Sequence, residues 1–248
     1  MTPGELDGLG AIVTGSTGNL GSATAKALAR GGAGVLINGR TSGEKAAEIV
    51  AEIEAEGGRA IVHMADVTDE DAVKGMIAAA AAAFGRLDIL VNNVGPANRG
   101  PVTDIDYADW RRIMATKLDA CFLTIKHAIP HLAAGGRGAI INVGASSAHT
   151  GNPERSVDVA AKMGLAGLTG SLAVELADRN ITVNCVAPGR FRQPGKEISP
   201  HFANGIPAGR EGDPVEFAET VRFLCGPHSR YTSGQTLHIN GAWHVSIN

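Results

Sequence analysis

The chain is expected to fold as one α/β domain, a doubly wound Rossmann-like parallel sheet of about seven strands with helices on both faces. Three observations predict this. Short β-branched runs alternate with longer Ala-rich stretches of helical spacing almost to the C-terminus. The short runs are continuously apolar, which is how strands buried on both faces of a parallel sheet read. Finally, 248 residues with 44% hydrophobic content suffice for one generous core but not for two full-sized domains, so 1–248 is read as a single domain.

The first strand, 11–14, runs into Thr14-Gly15-Ser16-Thr17-Gly18-Asn19-Leu20-Gly21 and a helix over 20–30. The second, 35–38, is followed by a helix over 45–56 that Gly57 and Gly58 stop. After strand 60–64, Thr68 offers a hydroxyl cap and Asp69, Glu70 and Asp71 an acidic first turn. The alanine run 78–83 fits the interior of that helix. Strands follow at 89–92, 139–143, 182–186 and 236–239. Asp213 and Pro214 supply a cap and an N1 proline for a helix over 215–224. The long irregular stretch after strand six, rich in Pro, Gly and Arg, is expected to form a substrate lid around 189–212.

Composition narrows the function. A net charge of -3 with a pI near 6.2 provides no basic stripe, so a nucleic-acid partner is not expected. Cys121, Cys185 and Cys225 have no paired spacing, which argues against a disulfide framework or a zinc site and for a reducing cytoplasm. The first ten residues carry Glu5 and Asp7 but no Lys or Arg, unlike a secretory signal. The longest apolar run, 76–84, is far short of the roughly 20 residues that span a bilayer, so no membrane partner is expected. His127 and His131 have the spacing of a zinc pair, but no Glu follows His127 and Pro130 interrupts, so no metal is expected.

The glycine turn points to a dinucleotide. Gly15 permits the sharp turn, the backbone near Gly18 and Asn19 can approach a pyrophosphate, and Gly21 lets the helix pack on the sheet. The N–H groups at that helix start favour an anion. An NAD site would carry an acidic residue after strand two, but the sequence there is Asn38-Gly39-Arg40-Thr41. Arg40 offers a planar fork suited to a 2′-phosphate, so NADP(H) is the expected cofactor.

Taken with this turn, Asp66-Val67 after strand three, Asn92-Asn93-Val94-Gly95 after strand four, Ala160-Ala161-Lys162, the Asn184 to Gly189 run and the Gly234 to Gly241 segment resemble the short-chain dehydrogenase/reductase family. The resemblance covers essentially the whole chain. It implies that Asp66 and Val67 flank the adenine, that Asn93, Val94 and Gly95 line the adenine ribose, and that Pro188 and Gly189 meet the nicotinamide. It also implies a homo-oligomer, a tetramer or dimer, formed through long helices at 106–132 and 156–177. Asn19 departs from the glycine usual in members of this length, and asparagine tolerates a left-handed backbone.

The catalytic positions depart further. Family chemistry rests on an Asn, a Ser, and a Tyr and Lys spaced Y-x-x-x-K. Aligned through Asn142 and Gly151-Asn152-Pro153, this chain has Lys117 for the Asn, Ala145 for the Ser and Asp158 for the Tyr; Lys162 remains. Tyr107 and Tyr231 are not followed four residues later by lysine. Ser146 or Ser147 would take the serine role only through an offset of the loop, and His149 is an alternative acid.

The expectation is an NADP(H)-dependent oxidoreductase with a remodelled site of Asp158, Lys162 and Lys117, acting on a small carbonyl, alcohol or imine substrate. Neighbouring ammonium groups favour a charged Asp158 while burial favours the neutral acid; the charged form cannot donate a proton but would suit a cationic iminium or carbon-acid chemistry. Lys117 would donate a proton or bind a substrate carboxylate. Two alternatives stay open: a catalytically silent nucleotide-binding relative whose three charges form a compensating cluster, and a non-redox isomerase or lyase reusing the pocket.

Overall fold

The computed structural model describes residues 4–95, 99–193, 195 and 205–244. Its centre is a parallel sheet of seven strands: β1 (Gly10–Val13), β2 (Gly34–Ile37), β3 (Arg59–Val62), β4 (Ile89–Asn92), β5 (Gly138–Val143), β6 (Ile181–Pro188) and β7 (Thr236–Ile239). The order is β3-β2-β1-β4-β5-β6-β7, and every pairing is parallel. Direction reverses between β1 and β4, which opens a crevice at the carboxyl ends of those strands where ligands of such sheets bind.

The helices are α1 (Asn19–Arg30), α2 (Gly43–Ala55), α3 (Glu70–Phe84), α4 (Tyr107–Met114), α5 (Ala120–Ala134), α6 (Ser146–Thr150), α7 (Ser156–Glu175) and α8 (Pro214–Cys225). They bury two apolar layers. Leu28, Ile49 and Phe217 belong to the layer that α1, α2 and α8 cover, and Met76, Ile125 and Leu132 to the layer under α3, α5 and α7. Continuous apolar strands were the right signal, because the central strands β1, β2, β4 and β5 are buried at every position.

Local chemistry sets the helix ends. Asp213 accepts from the Val215 N–H at 3.0 Å while Glu216 accepts from the Asp213 N–H at 2.8 Å, so α8 opens on a capping box with Pro214 behind it. At α3 the expected Thr68 cap is corrected. Asp69 is the cap, accepting from Asp71 and Ala72, because the Thr68 hydroxyl is drawn away to Asp66 at 2.7 Å.

The long helix expected over 106–132 is present as one helical run over 107–134, whose junction residues Met114, Ala115, Asp119 and Ala120 all keep right-handed helical backbone. A π-turn over Ala115–Asp119 lies between α4 and α5 within that run, and Pro130 lies inside α5. α7 ends at Glu175, two residues before the expected end, and a short 3₁₀ turn follows. Among the described helices α7 alone is long and apolar enough to cross a bilayer, with a mean hydropathy of 1.3. Here it buries Val157, Ala161, Leu165, Thr169 and Ala173 at helical spacing while packing on β6.

Candidate active site

The glycine turn is built to leave room at the mouth of the β1–β4 crevice. Gly15 adopts φ +59°, a left-handed conformation that a side chain would strain. A Cβ on Gly21 would lie 2.6 Å from both the Asn93 side chain and the Gly15 carbonyl, so only glycine fits there. Asn93 braces the turn from β4, donating to the carbonyls of Thr14 at 3.2 Å and Gly15 at 3.1 Å. Asn38 braces it from β2 by accepting from the Gly15 N–H at 3.2 Å.

The expected cofactor residues divide by what they offer. The Ser16 hydroxyl turns inward to the backbone of Asn38, and Leu20 packs on the core, so each presents main chain to the crevice. Thr17 is partly exposed. The first rung of α1 runs from the Ser22 N–H to the Gly18 carbonyl, which leaves the N–H groups of Asn19, Leu20 and Gly21 ahead of the ladder. Arg40 is 73% exposed and lies 3.6 Å from Asp66. Hydrogen bonds from Thr68, more than Arg40, hold the Asp66 carboxyl below its ordinary range. Val67 is buried, and Val94 packs on the lower apolar layer. Gly189 donates to the Ile239 carbonyl at 2.9 Å, and a Cβ there would lie 2.6 Å from Asn240, so β6 and β7 close tightly just after Pro188.

The positions expected to be catalytic converge at the same end of the sheet. The π-turn carries Lys117 and α7 carries Asp158 and Lys162. Lys117 Nζ donates to Asp158 Oδ1 at 2.5 Å, and Arg155 Nη1 donates to Asp158 Oδ2 at 3.0 Å. Lys117 is 3% exposed. Lys162 Nζ donates to the Val143 carbonyl at 2.5 Å, and burial pushes its ammonium down from the ordinary lysine range. Both lysines face Gly95: a Cβ there would lie 3.4 Å from Lys162 Nζ and 3.6 Å from Lys117 Cγ. One carboxylate therefore stands among three cations, Lys117, Arg155 and Lys162.

Two expected substitutes are placed elsewhere. Ala145 sits at the cap of α6. Ser146 is fully buried; its hydroxyl donates to the Ala187 carbonyl at 3.0 Å, accepts from Asn240 at 3.0 Å and meets His238 Nδ1 at 3.3 Å. That hydroxyl serves the β6–β7 edge. His149 joins His238 and His244, with ring centroids 4.7 and 5.8 Å away, and His238 stacks on His244 at 3.9 Å. Burial pulls the His149 and His238 imidazoles below their ordinary values, which keeps them neutral near pH 7 and works against His149 as an acid. His127 faces Glu70 at 2.8 Å, and His131 is exposed.

Residues 194 and 196–204 of the expected lid lie outside the described residues. The ends of the segment meet: Phe191 and Gly212 form a parallel bridge, and the Arg192 N–H donates to the Gly212 carbonyl at 3.0 Å. A cavity of about 130 Å³ lies at this base, lined by Arg190, Phe191, Arg210, Glu216 and Asn240 among others; neither Asp158 nor Lys162 lines it. Sequence reasoning missed Arg155, whose i,i+3 spacing to Asp158 was the available signal, and the pairing of His149 with His238, which no local pattern announces.

The chain resembles known proteins along its length. A family model described as Enoyl-(Acyl carrier protein) reductase matches residues 15–244. A 3-oxoacyl-(acyl-carrier-protein) reductase, FabG of Staphylococcus aureus, is 38% identical over 240 residues, 95% of this chain and 98% of its own. A dehydrogenase/reductase from Sinorhizobium meliloti superposes with a TM-score of 0.90 at 37% identity, covering 95% of each chain. A short-chain dehydrogenase from Burkholderia cenocepacia, solved in complex with NADP, gives 0.89 at 35% identity over 96% of this chain and 98% of its own. With the sheet order, glycine turn and motif set already described, these matches place the chain in the short-chain dehydrogenase/reductase family of NAD(P)-dependent oxidoreductases.

Proposed function

We propose that the protein is an NADP(H)-dependent oxidoreductase with a remodelled proton-transfer centre, acting on a small carbonyl compound or the corresponding alcohol. The observation that carries this reading is the Lys117–Asp158–Arg155 cluster beside Lys162. The crevice fits a dinucleotide by its own chemistry: free N–H groups at the start of α1, the close approach that Gly15 and Gly21 permit, and the exposed Arg40 in place of an acid. The NADP-bound neighbour supports the same choice. When bound, the reduced cofactor supplies hydride.

The chain's own task is the charge left on oxygen. A carbonyl that accepts hydride becomes an alkoxide, and preorganised cations stabilise that charge where it develops. Lys117 is the donor: an ammonium N–H passes its proton to the alkoxide, giving the alcohol, and solvent returns a proton to the amine. Asp158 and Arg155 hold Lys117 in register, and Lys162 adds positive charge and binds the nicotinamide ribose. The cation surplus ranks a carbonyl above the iminium that an isolated anionic Asp158 would favour. The loop from Gly189 to Gly212 would cover the substrate.

Exposed apolar side chains on α5 and α7, Phe122 at 52%, Met163 at 43% and Val174 at 81%, support a homo-oligomer built through these helices. Three free, buried cysteines suit a reducing cytoplasm.

The test is NADPH oxidation across ketones, 3-oxoacyl thioesters and imines, with Lys117→Met as the reporter. Turnover should fall about 10²- to 10⁴-fold while NADPH binding is kept. NADPH bound without turnover on any substrate would establish the silent relative. Turnover with cofactor absent would establish an isomerase or lyase.

A further inference from the structure

Arg192 stands four residues beyond Pro188 and belongs to none of the motifs used above. Its backbone is nevertheless fastened to the glycine turn. The side-chain amide of Asn19, the first residue of α1, donates to the Arg192 carbonyl at 2.6 Å. The bridge to Gly212 holds the same residue from the other side. Arg192 is therefore tied to the residue that opens α1, whose N–H, with those of Leu20 and Gly21, forms the anion-facing start of the helix.

Its guanidinium is 58% exposed and pairs with Asp213. That partner has a second role as the cap of α8, accepting from the Val215 N–H, so Asp213 keeps a hydrogen bond if the arginine leaves. A guanidinium extends about 6 Å from its Cα, and the Arg192 backbone is already in contact with the turn through Asn19. A planar fork also suits phosphate oxygens better than a single carboxylate shared with a helix cap.

The geometry points to Arg192 as a pyrophosphate-binding residue of the cofactor site, seated over the glycine turn by Asn19 and exchanging Asp213 for a phosphate oxygen when the dinucleotide binds. The inference rests on the dinucleotide reading above and adds to it a side chain that grips the bridge between the two nucleotides.

Calorimetric titration of the full chain with three probes separates the possibilities. NADPH carries both the pyrophosphate and the 2′-phosphate, ADP-ribose the pyrophosphate alone, and 2′-AMP the 2′-phosphate alone. Arg192→Gln should weaken NADPH and ADP-ribose by about tenfold and leave 2′-AMP within about twofold. Arg192→Lys should recover part of the loss. Arg179→Ala removes an equal charge just ahead of β6, at the opposite end of the sheet, and should change none of the three. Equal NADPH and ADP-ribose affinity in wild type and Arg192→Gln overturns the inference, as does an equal loss on all three probes. Wild-type protein that binds none of them overturns the dinucleotide reading, and this inference with it.

Discussion

Removing the Asp158 carboxylate should expose how strongly the Lys117–Asp158 pair is coupled. Lys117 is 3% exposed, and its Nζ has Asp158 as its one hydrogen-bond acceptor among the described residues. Asp158→Ala leaves that ammonium buried and unpaired, a situation that costs about 3–5 kcal/mol when one partner of a buried pair is deleted. The Arg155 contact, on a side chain 30% exposed, adds only about 0.5 kcal/mol. Lys117→Met removes the buried ammonium and leaves Asp158 with its Arg155 partner, so its cost should be smaller, about 1–2 kcal/mol. The double variant then escapes most of the Asp158→Ala penalty, and the coupling energy should be about 2–3 kcal/mol. Urea unfolding of the wild type, both single variants and the double variant measures it. A coupling under about 0.5 kcal/mol refutes the claim that the two charges hold each other in place.

Reinstalling the family's constellation is a bolder test: the triple variant K117N/A145S/D158Y should raise ketone reduction by about 10²- to 10⁴-fold, measured by NADPH oxidation, and no gain would discredit the alignment of these positions. Arg40→Ala should lower NADPH affinity by about tenfold and spare NADH, measured by calorimetry; equal loss on both cofactors would remove Arg40 from the 2′-phosphate. The histidine cluster predicts acid sensitivity. Burial, followed by the neighbouring imidazole of His244, depresses the His149 and His238 values, so the folded protein binds fewer protons than the unfolded chain just below pH 6.5. The corresponding stability is complete above pH 6.5 and is lost as pH falls through the depressed values. Thermal midpoints measured through this range should fall less steeply in the H149Q/H238Q variant, and superimposable curves would dismiss the effect.

The architecture was legible because its signals are local. Apolar runs located the strands, Asp213-Pro214 announced α8, and the strand context of Gly15 to Gly21 announced the crevice. The Thr68 cap misread has a local cause as well: Asp69 is an equally competent cap, and the choice was made by Asp66 capturing the Thr68 hydroxyl. What the sequence concealed is long-range. Lys117 and Asp158 are 41 positions apart, and Ser146 and His238 are 92 apart, so their meeting depends on the packing of α7 and of β7. The Ser146 hydroxyl is likewise engaged at long range, by Ala187 of β6, His238 of β7 and Asn240 just after it. The π-turn has no propensity signature, and nothing in 115–119 distinguishes it from an ordinary helix.

That turn sets Lys117 apart from the packing residues on either side of it. A π-turn accommodates one residue more than an α-helix of the same rise, shifting the facing of side chains on either side by about 100°. Ile113 before it and Ala120, Cys121 and Thr124 after it carry the packing, and Lys117 alone within it is buried. The side chain at position 117 is thereby aimed at Asp158 by a backbone irregularity, while the flanking helices keep their own packing faces.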